Sequence, residues 1–160
     1  MVLVLNFFNY FYCKLNLYFL TATFHPDIKI ADLNEQIQDT MISTIGIEFT
    51  QITESFLEGK MPVDSRTVQP MRLLHGGASV TLAETLGSMA SQLVTDQTKQ
   101  YCVGLEINAN HIRSAISGFV YGRAKALHMG RKTHIWSIEI KNEEEKLVCV
   151  SRLTVAVIDK

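Results

Sequence analysis

Gln69-Pro70-Met71-Arg72-Leu73-Leu74-His75-Gly76-Gly77-Ala78-Ser79-Val80-Thr81-Leu82-Ala83-Glu84 runs from a proline-bearing loop through a His-Gly-Gly turn into an apolar helix that carries one carboxylate. Two glycines at a helix start leave backbone N–H groups open to close approach. With the positive end of the helix dipole, such groups hold an anion or an oxyanion. A lone glutamate among apolar residues is costly to bury and needs a partner or a task. The helix is expected over residues 76–94, the longest in the chain. Ala78, Val80, Leu82, Ala83, Leu86, Met89, Ala90, Leu93 and Val94 cover most of its surface, so it should be largely buried. Gly77, Ala83, Gly87 and Ala90 keep it slim enough for close packing on a sheet.

Upstream, residues 31–43 read as a short helix with Asp32 as N-cap and Leu33, Ile37 and Met41 recurring every four positions, ended by Gly46. Strands are expected over 47–53 and 55–63, the second closed by Pro62, followed by a loop over 64–74. Downstream come four strand-like runs, 101–113, 117–128, 132–142 and 145–158, separated by Ser117-Gly118, Gly130 and Asn142. Val103, Leu105 and Ile107 alternate with polar neighbours, and short connections imply an antiparallel meander. The expected class is α+β: one long central helix on a curved antiparallel sheet, a single domain over 25–160.

A chain of 160 residues with 47% hydrophobic and 19% charged residues can build one real core. A net charge of −1 gives no electrostatic case for nucleic acid. Cys13, Cys102 and Cys149 are few, odd in number and far apart, which points to a reducing cytoplasm. Cys102 and Cys149 are expected to be buried and inert, and Trp136 to lie in the core. No P-loop, GxGxxG or GxSxG occurs, and Ser79 follows Gly-Gly-Ala. His128 and His134 have no third ligand at convincing spacing, so no metal is expected. The first 24 residues hold eight of the chain's 14 aromatic residues and stand apart in composition. Three readings stay open for them: a membrane or signal segment, a docked extension, or translation from a start codon placed too far upstream. Asn6, Asn9, Lys14 and Asn16 interrupt the apolar run, and no membrane association is expected.

On a helical wheel, Gly77, Glu84, Ser88 and Ser91 fall within about 40° of one another and make a narrow polar seam. A solvent-facing seam would look the same; a catalytic carboxylate with an oxyanion donor at the helix start is the sharper reading. Seven residues separate Gly77 from Glu84, roughly 10 Å along the axis, so one carbonyl cannot lie close to both. If both act on one atom, they come from two antiparallel copies of the helix, and a dimer with two shared sites follows.

The run Gln69-Pro70 … Leu74-His75-Gly76-Gly77-Ala78-Ser79 … Leu82-Ala83-Glu84 … Gly87-Ser88 resembles the hotdog-fold acyl-CoA thioesterases of the PaaI type, above all bacterial ones acting on 1,4-dihydroxy-2-naphthoyl-CoA and related aromatic acyl-CoAs. Met61 to Thr67, Val103 to His111 and Cys149 to Thr154 support it, and the resemblance covers about residues 31–158. It implies the hotdog fold and a homodimer, which would pair again into a tetramer. It implies Glu84 as nucleophile or general base and the Gly77 N–H as the donor to the thioester carbonyl. Gln69 and His75 would align the carbonyl, and Ser88 would position water or line the acyl pocket. Coenzyme A, as part of the substrate and not a cofactor, would touch Gly104, His111, Ile112, Arg113, Ser114 and the turn His128-Met129-Gly130-Arg131-Lys132-Thr133. Arg113, Arg131 and Lys132 suit phosphates, although Lys132 alone reads as an ordinary solvated residue. Two rivals remain: a hotdog dehydratase using His75 and Glu84, and an acyl-CoA-binding protein without turnover. Release of free thiol separates them. An aromatic or β-ketoacyl group is the inherited substrate preference, with menaquinone synthesis or proofreading as the cellular setting.

Overall fold

The computed structural model describes Phe24 and residues 27–160, so apart from Phe24 the 1–24 extension lies outside the described residues. In chain order the elements are α1 (Ile30–Gln36), α2 (Met41–Thr44), β1 (Glu48–Ile52), β2 (Leu57–Pro62), α3 (Gly76–Leu93), β3 (Gln100–His111), β4 (Phe119–Met129), β5 (Thr133–Asn142) and β6 (Leu147–Asp159). The strands form one antiparallel sheet in the order β1-β2-β4-β5-β6-β3.

Helix α3 buries one stripe, Ser79, Leu82, Ala83, Leu86, Gly87, Ala90 and Ser91, spaced three and four apart. The opposite stripe stays half open, so the helix is not buried all round as its composition suggests. The sheet presents Leu57, Met61, Val120, Ala124, Trp136, Ile138, Ile140, Leu153 and Val155 to that stripe, all buried. Helix and sheet touch where side chains are missing. A Cβ on Gly87 would lie 2.6 Å from Leu153 Cδ2, and one on Gly122 would lie 2.6 Å from Leu86 Cδ1. Ser91 belongs to the core, not to the polar seam: its Oγ accepts a 2.7 Å hydrogen bond from Trp136 Nε1. Phe24 stacks on Trp136 at 6.3 Å between ring centroids.

Three expectations are corrected. The helix over 31–43 is two short helices, because Asp39 turns left-handed (φ 58°) and Thr40 starts α2 with a capping box. Lys29, not Asp32, is the N-cap of α1, and Asp32 sits in its first turn. The four downstream strands are not a simple meander, because β3 pairs with β6 at the sheet edge. The segment after β3 explains this. Ile112 and Arg113 N–H bond to Val148 O, then Ala115 O accepts from Leu74 N and Gly118 O accepts from Val63 N. These bonds carry the chain from the β6 side, past the start of α3, to β4. Val103 and Leu105 are exposed on this edge, beside a bulge between Gly104 and Glu106, while Ile107 packs on the core. Cys149 is buried, with its thiol pKa raised by burial. Cys102 is only partly buried and lies 3.4 Å from the Thr95 hydroxyl.

His134 on β5 is 6% exposed, and its Nδ1 has no hydrogen-bond partner among the described residues. Burial, and then the neighbouring His128, lower its pKa below the usual imidazole value, while a backbone hydrogen bond with Gly130 opposes them. Below about pH 6.5 the unfolded chain therefore binds more protons at this site than the folded one, and stability falls as pH falls. The melting temperature of the wild type should drop more between about pH 7 and pH 5 than that of His134→Leu. Parallel curves would show that His134 does not drive the acid sensitivity.

Candidate active site

The loop before α3 is held by its own polar groups. Thr67 Oγ1 donates to Pro62 O at 2.7 Å, and His75 N donates to Thr67 O at 2.9 Å. Gln69 N–H bonds Leu73 O and Arg72 N–H bonds Gln69 O, closing a tight turn with Arg72 left-handed at φ 65°. Inside that turn Gln69 Oε1 accepts from Met71 N, which leaves its side-chain NH₂ free to donate outward.

His75 is the N-cap of α3: it is extended (φ −70°, ψ 133°), and its Nδ1 accepts from Gly77 N at 2.8 Å. An acceptor nitrogen at Nδ1 assigns the proton of the neutral ring to Nε2. The Gly77 N–H, the expected oxyanion donor, is thus engaged with His75. The Gly76 N–H has no hydrogen-bond partner among the described residues. An N-cap side chain bonds the second or third helical N–H and leaves the first one bare. That rule, applied to His75 in the sequence, would have singled out Gly76. Against the same residue lies His111: a Cβ on Gly76 would be 2.7 Å from His111 Nε2.

A cavity of about 290 Å³ opens beside this helix start, with Gln69, Gly76, Ser79, His111 and Arg113 in its wall. Ser79 is buried, and its hydroxyl forms no hydrogen bond. Arg113 Nη1 donates to Leu147 O at 3.1 Å. A larger hollow of about 420 Å³ lies on the outer face of the sheet and includes none of the expected site residues. Its buried carboxylate is already committed. Glu58 accepts from Arg123 Nε at 2.5 Å and from Thr50 Oγ1 at 2.8 Å.

Glu84 stands two turns along α3 on the half-open stripe, with Ser88 one turn further. Its Oε1 lies over Gly104 of β3, 2.6 Å from where a Cβ would be, and the carboxylate has no hydrogen-bond partner among the described residues. Only glycine admits the carboxylate at this position.

The expected site residues fall into two groups at opposite ends of the sheet. Gln69, His75, Gly76 and Gly77 lie with His111, Ile112, Arg113 and Ser114 around the helix start. Glu84 lies with Gly104, whose partner on β6 is Val155; His134, next to the hairpin His128–Thr133, faces that same Val155 from β5. His111 pairs with Cys149, six residues away along β6, roughly 20 Å. One chain does not bring the two groups together. Within the hairpin, Gly130 N bonds Thr133 O at 2.9 Å and Lys132 Nζ pairs with Asp159 Oδ2 at 2.5 Å, while Arg131 is exposed. Among the described residues, no three His, Cys, Asp or Glu cluster closely enough to hold a metal ion. None of the described helices is long and apolar enough to cross a membrane.

A thioesterase superfamily model matches residues 71–149. The 1,4-dihydroxy-2-naphthoyl-CoA hydrolase of Escherichia coli is 50% identical over 131 residues, 82% of this chain and 96% of that protein. The proofreading thioesterase EntH of Klebsiella pneumoniae is 46% identical over 132 residues, 82% of this chain and 96% of that protein. A crystal structure of a mutant thioesterase from Pseudomonas aeruginosa aligns with a TM-score of 0.85 and 46% identity, covering 86% of this chain and 99% of that one.

Gly104→Ala should push the Glu84 carboxylate off β3 while leaving stability within about 1 kcal/mol of wild type. A crystal structure of the variant and its thermal melt check both. An unmoved carboxylate would mean that the close approach does not set its position.

Proposed function

The chain belongs to the thioesterase superfamily, with a hotdog fold and the activity of a thioester hydrolase, and we propose that it hydrolyses an aromatic acyl-CoA at two sites, each shared by two copies of the chain. The observation that carries this reading is the separation of the site residues into two groups at opposite ends of one sheet. Two antiparallel helices related by a two-fold axis set the Gly76 end of one against the Glu84 of the other. His111–Ser114 of one copy and the hairpin 128–133 of the other then flank a single coenzyme.

In this site the thioester oxygen sits at the start of α3. The Gly76 N–H is free to bind it, and the Gly77 N–H joins only if His75 releases it. His75 Nε2–H and the Gln69 NH₂ are further donors aimed at the same oxygen. Charge builds on that oxygen as the carbonyl becomes tetrahedral, and fixed donors in a site closed to water favour it most at that moment. Glu84 acts as nucleophile or as general base toward water, and Ser88 positions the water or lines the acyl pocket. The half-open position of Glu84 leaves its carboxylate without a competing partner among the described residues. An aromatic acyl group, of the kind named for the Escherichia coli relative, is the substrate we favour on the strength of that 50% identity. The dehydratase reading needs His75 as a free base, but its Nδ1 caps the helix.

Thiol release from a panel of acyl-CoAs tests this reading. Glu84→Ala should lower kcat by about 10²-fold or more in a protein that still folds. Glu84→Ala and Gln69→Ala chains, each nearly inactive alone, should recover about a quarter of wild-type activity when mixed as dimers, since half the dimers are mixed and hold one intact site. No recovery on mixing would place each site within a single chain.

A further inference from the structure

We propose that His111 is the proton donor to the departing thiolate, a catalytic role that rests on the thioester hydrolysis proposed above. An alkyl thiol is mostly protonated at neutral pH, so a proton delivered to the sulfur as the C–S bond breaks eases its departure. Of the residues around the cavity at the helix start, His111 and Arg113 are the ionisable ones. An arginine does not release a proton near neutral pH, and Arg113 is tied to Leu147 O.

His75 cannot do this work. Its Nδ1 is occupied as acceptor by the Gly77 N–H, which places the ring proton on Nε2. Giving up that proton would leave an imidazolate, and taking a second one on Nδ1 would break the helix cap. His75 can polarise a carbonyl but cannot deliver a proton. His111 has the opposite properties. Its ring has no hydrogen-bond partner among the described residues and is exposed, so neither ring nitrogen is committed to holding the fold. Its Nε2 also lies against Gly76, the residue whose free N–H would hold the carbonyl oxygen. The sulfur is bonded to that carbonyl carbon and is therefore within reach of Nε2.

Glu84 acts here as the base. Water adds to the carbonyl carbon and gives one proton to Glu84. The C–S bond breaks with its electron pair going to sulfur as the carbonyl re-forms. The His111 imidazolium gives its Nε2 proton to the sulfur, releasing thiol and carboxylic acid. The proton on Glu84 then passes through solvent to restore the imidazolium.

The test compares wild type with His111→Gln on one acyl group carried by three thiols: coenzyme A, N-acetylcysteamine and 4-nitrothiophenol. His111 is exposed, so the variant should fold. If His111 donates the proton, kcat falls about 10²-fold or more on the two alkyl thioesters. On the nitrothiophenol ester, whose thiolate leaves without a proton, it should fall by less than about threefold. Equal losses on all three esters would overturn the proposal and leave His111 as a positioning residue. A rise in KM confined to the coenzyme A ester, with N-acetylcysteamine unaffected, would overturn it in favour of a coenzyme contact. A wild-type protein inactive on every thioester would overturn the hydrolase reading itself, an outcome visible before the variant is measured.

Discussion

The contact between one stripe of α3 and the inner face of the sheet sets everything else. Leu82, Ala83, Leu86, Gly87 and Ala90 fill that contact, and the glycines facing Leu153 and Leu86 let the backbones approach without a Cβ between them. Burying Leu82 and Leu86 contributes on the order of 1.5–3 kcal/mol each, so the helix cannot rotate about its axis without losing much of its core. Fixing that rotation also fixes the other stripe. Glu84 and Ser88 are held on the half-open side, and the first-turn N–H groups point out of one end of the sheet. The proposed catalytic residues lie on the side of the helix that the fold has no need to bury.

His75 links the fold to the site. As the helix cap it satisfies the Gly77 N–H, leaves the Gly76 N–H without a partner among the described residues, and has its own Nδ1 engaged as acceptor. One side chain thus decides which backbone donor is available at the helix start. The segment after β3 plays a matching part. Its backbone bonds to Val148, Leu74 and Val63 draw it past the helix start and set His111 against Gly76. Glu84 stays at the other end on Gly104, where only the absence of a Cβ gives it room. On the proposed shared-site arrangement, one chain carries two half-sites.

Much of this was legible in the chain. The apolar helix, its boundaries, the strand runs and the burial of Trp136 follow from periodicity and turn residues, because those signals are local. The strand order was not legible. Placing β3 beside β6 depends on the path of residues 112–118, which is fixed by backbone hydrogen bonds that side-chain patterns do not encode. Val103 and Leu105 alternate with polar neighbours, which marks a strand, yet both lie exposed at the sheet edge, because alternation does not say which face is covered. Asp39 split an expected helix because a left-handed residue leaves only a weak mark on composition. At the site, Glu84 stood out as a lone carboxylate on an apolar helix. The preference for Gly77 over Gly76 missed that a capping His75 takes the Gly77 N–H. The placement of the expected coenzyme contacts at two ends of the sheet needed the register of β3 and β5 against β6.

The most direct measurement is a crystal structure with an aromatic acyl-CoA analogue in which a methylene replaces the sulfur, so that the bond cannot be cleaved. The carbonyl oxygen should lie about 2.7–3.1 Å from the Gly76 nitrogen, with the carbonyl carbon facing the Glu84 carboxylate of a second copy of the chain. A carbonyl held against Glu84 of the same chain, or bound away from the start of α3, would contradict the shared site on which the account rests.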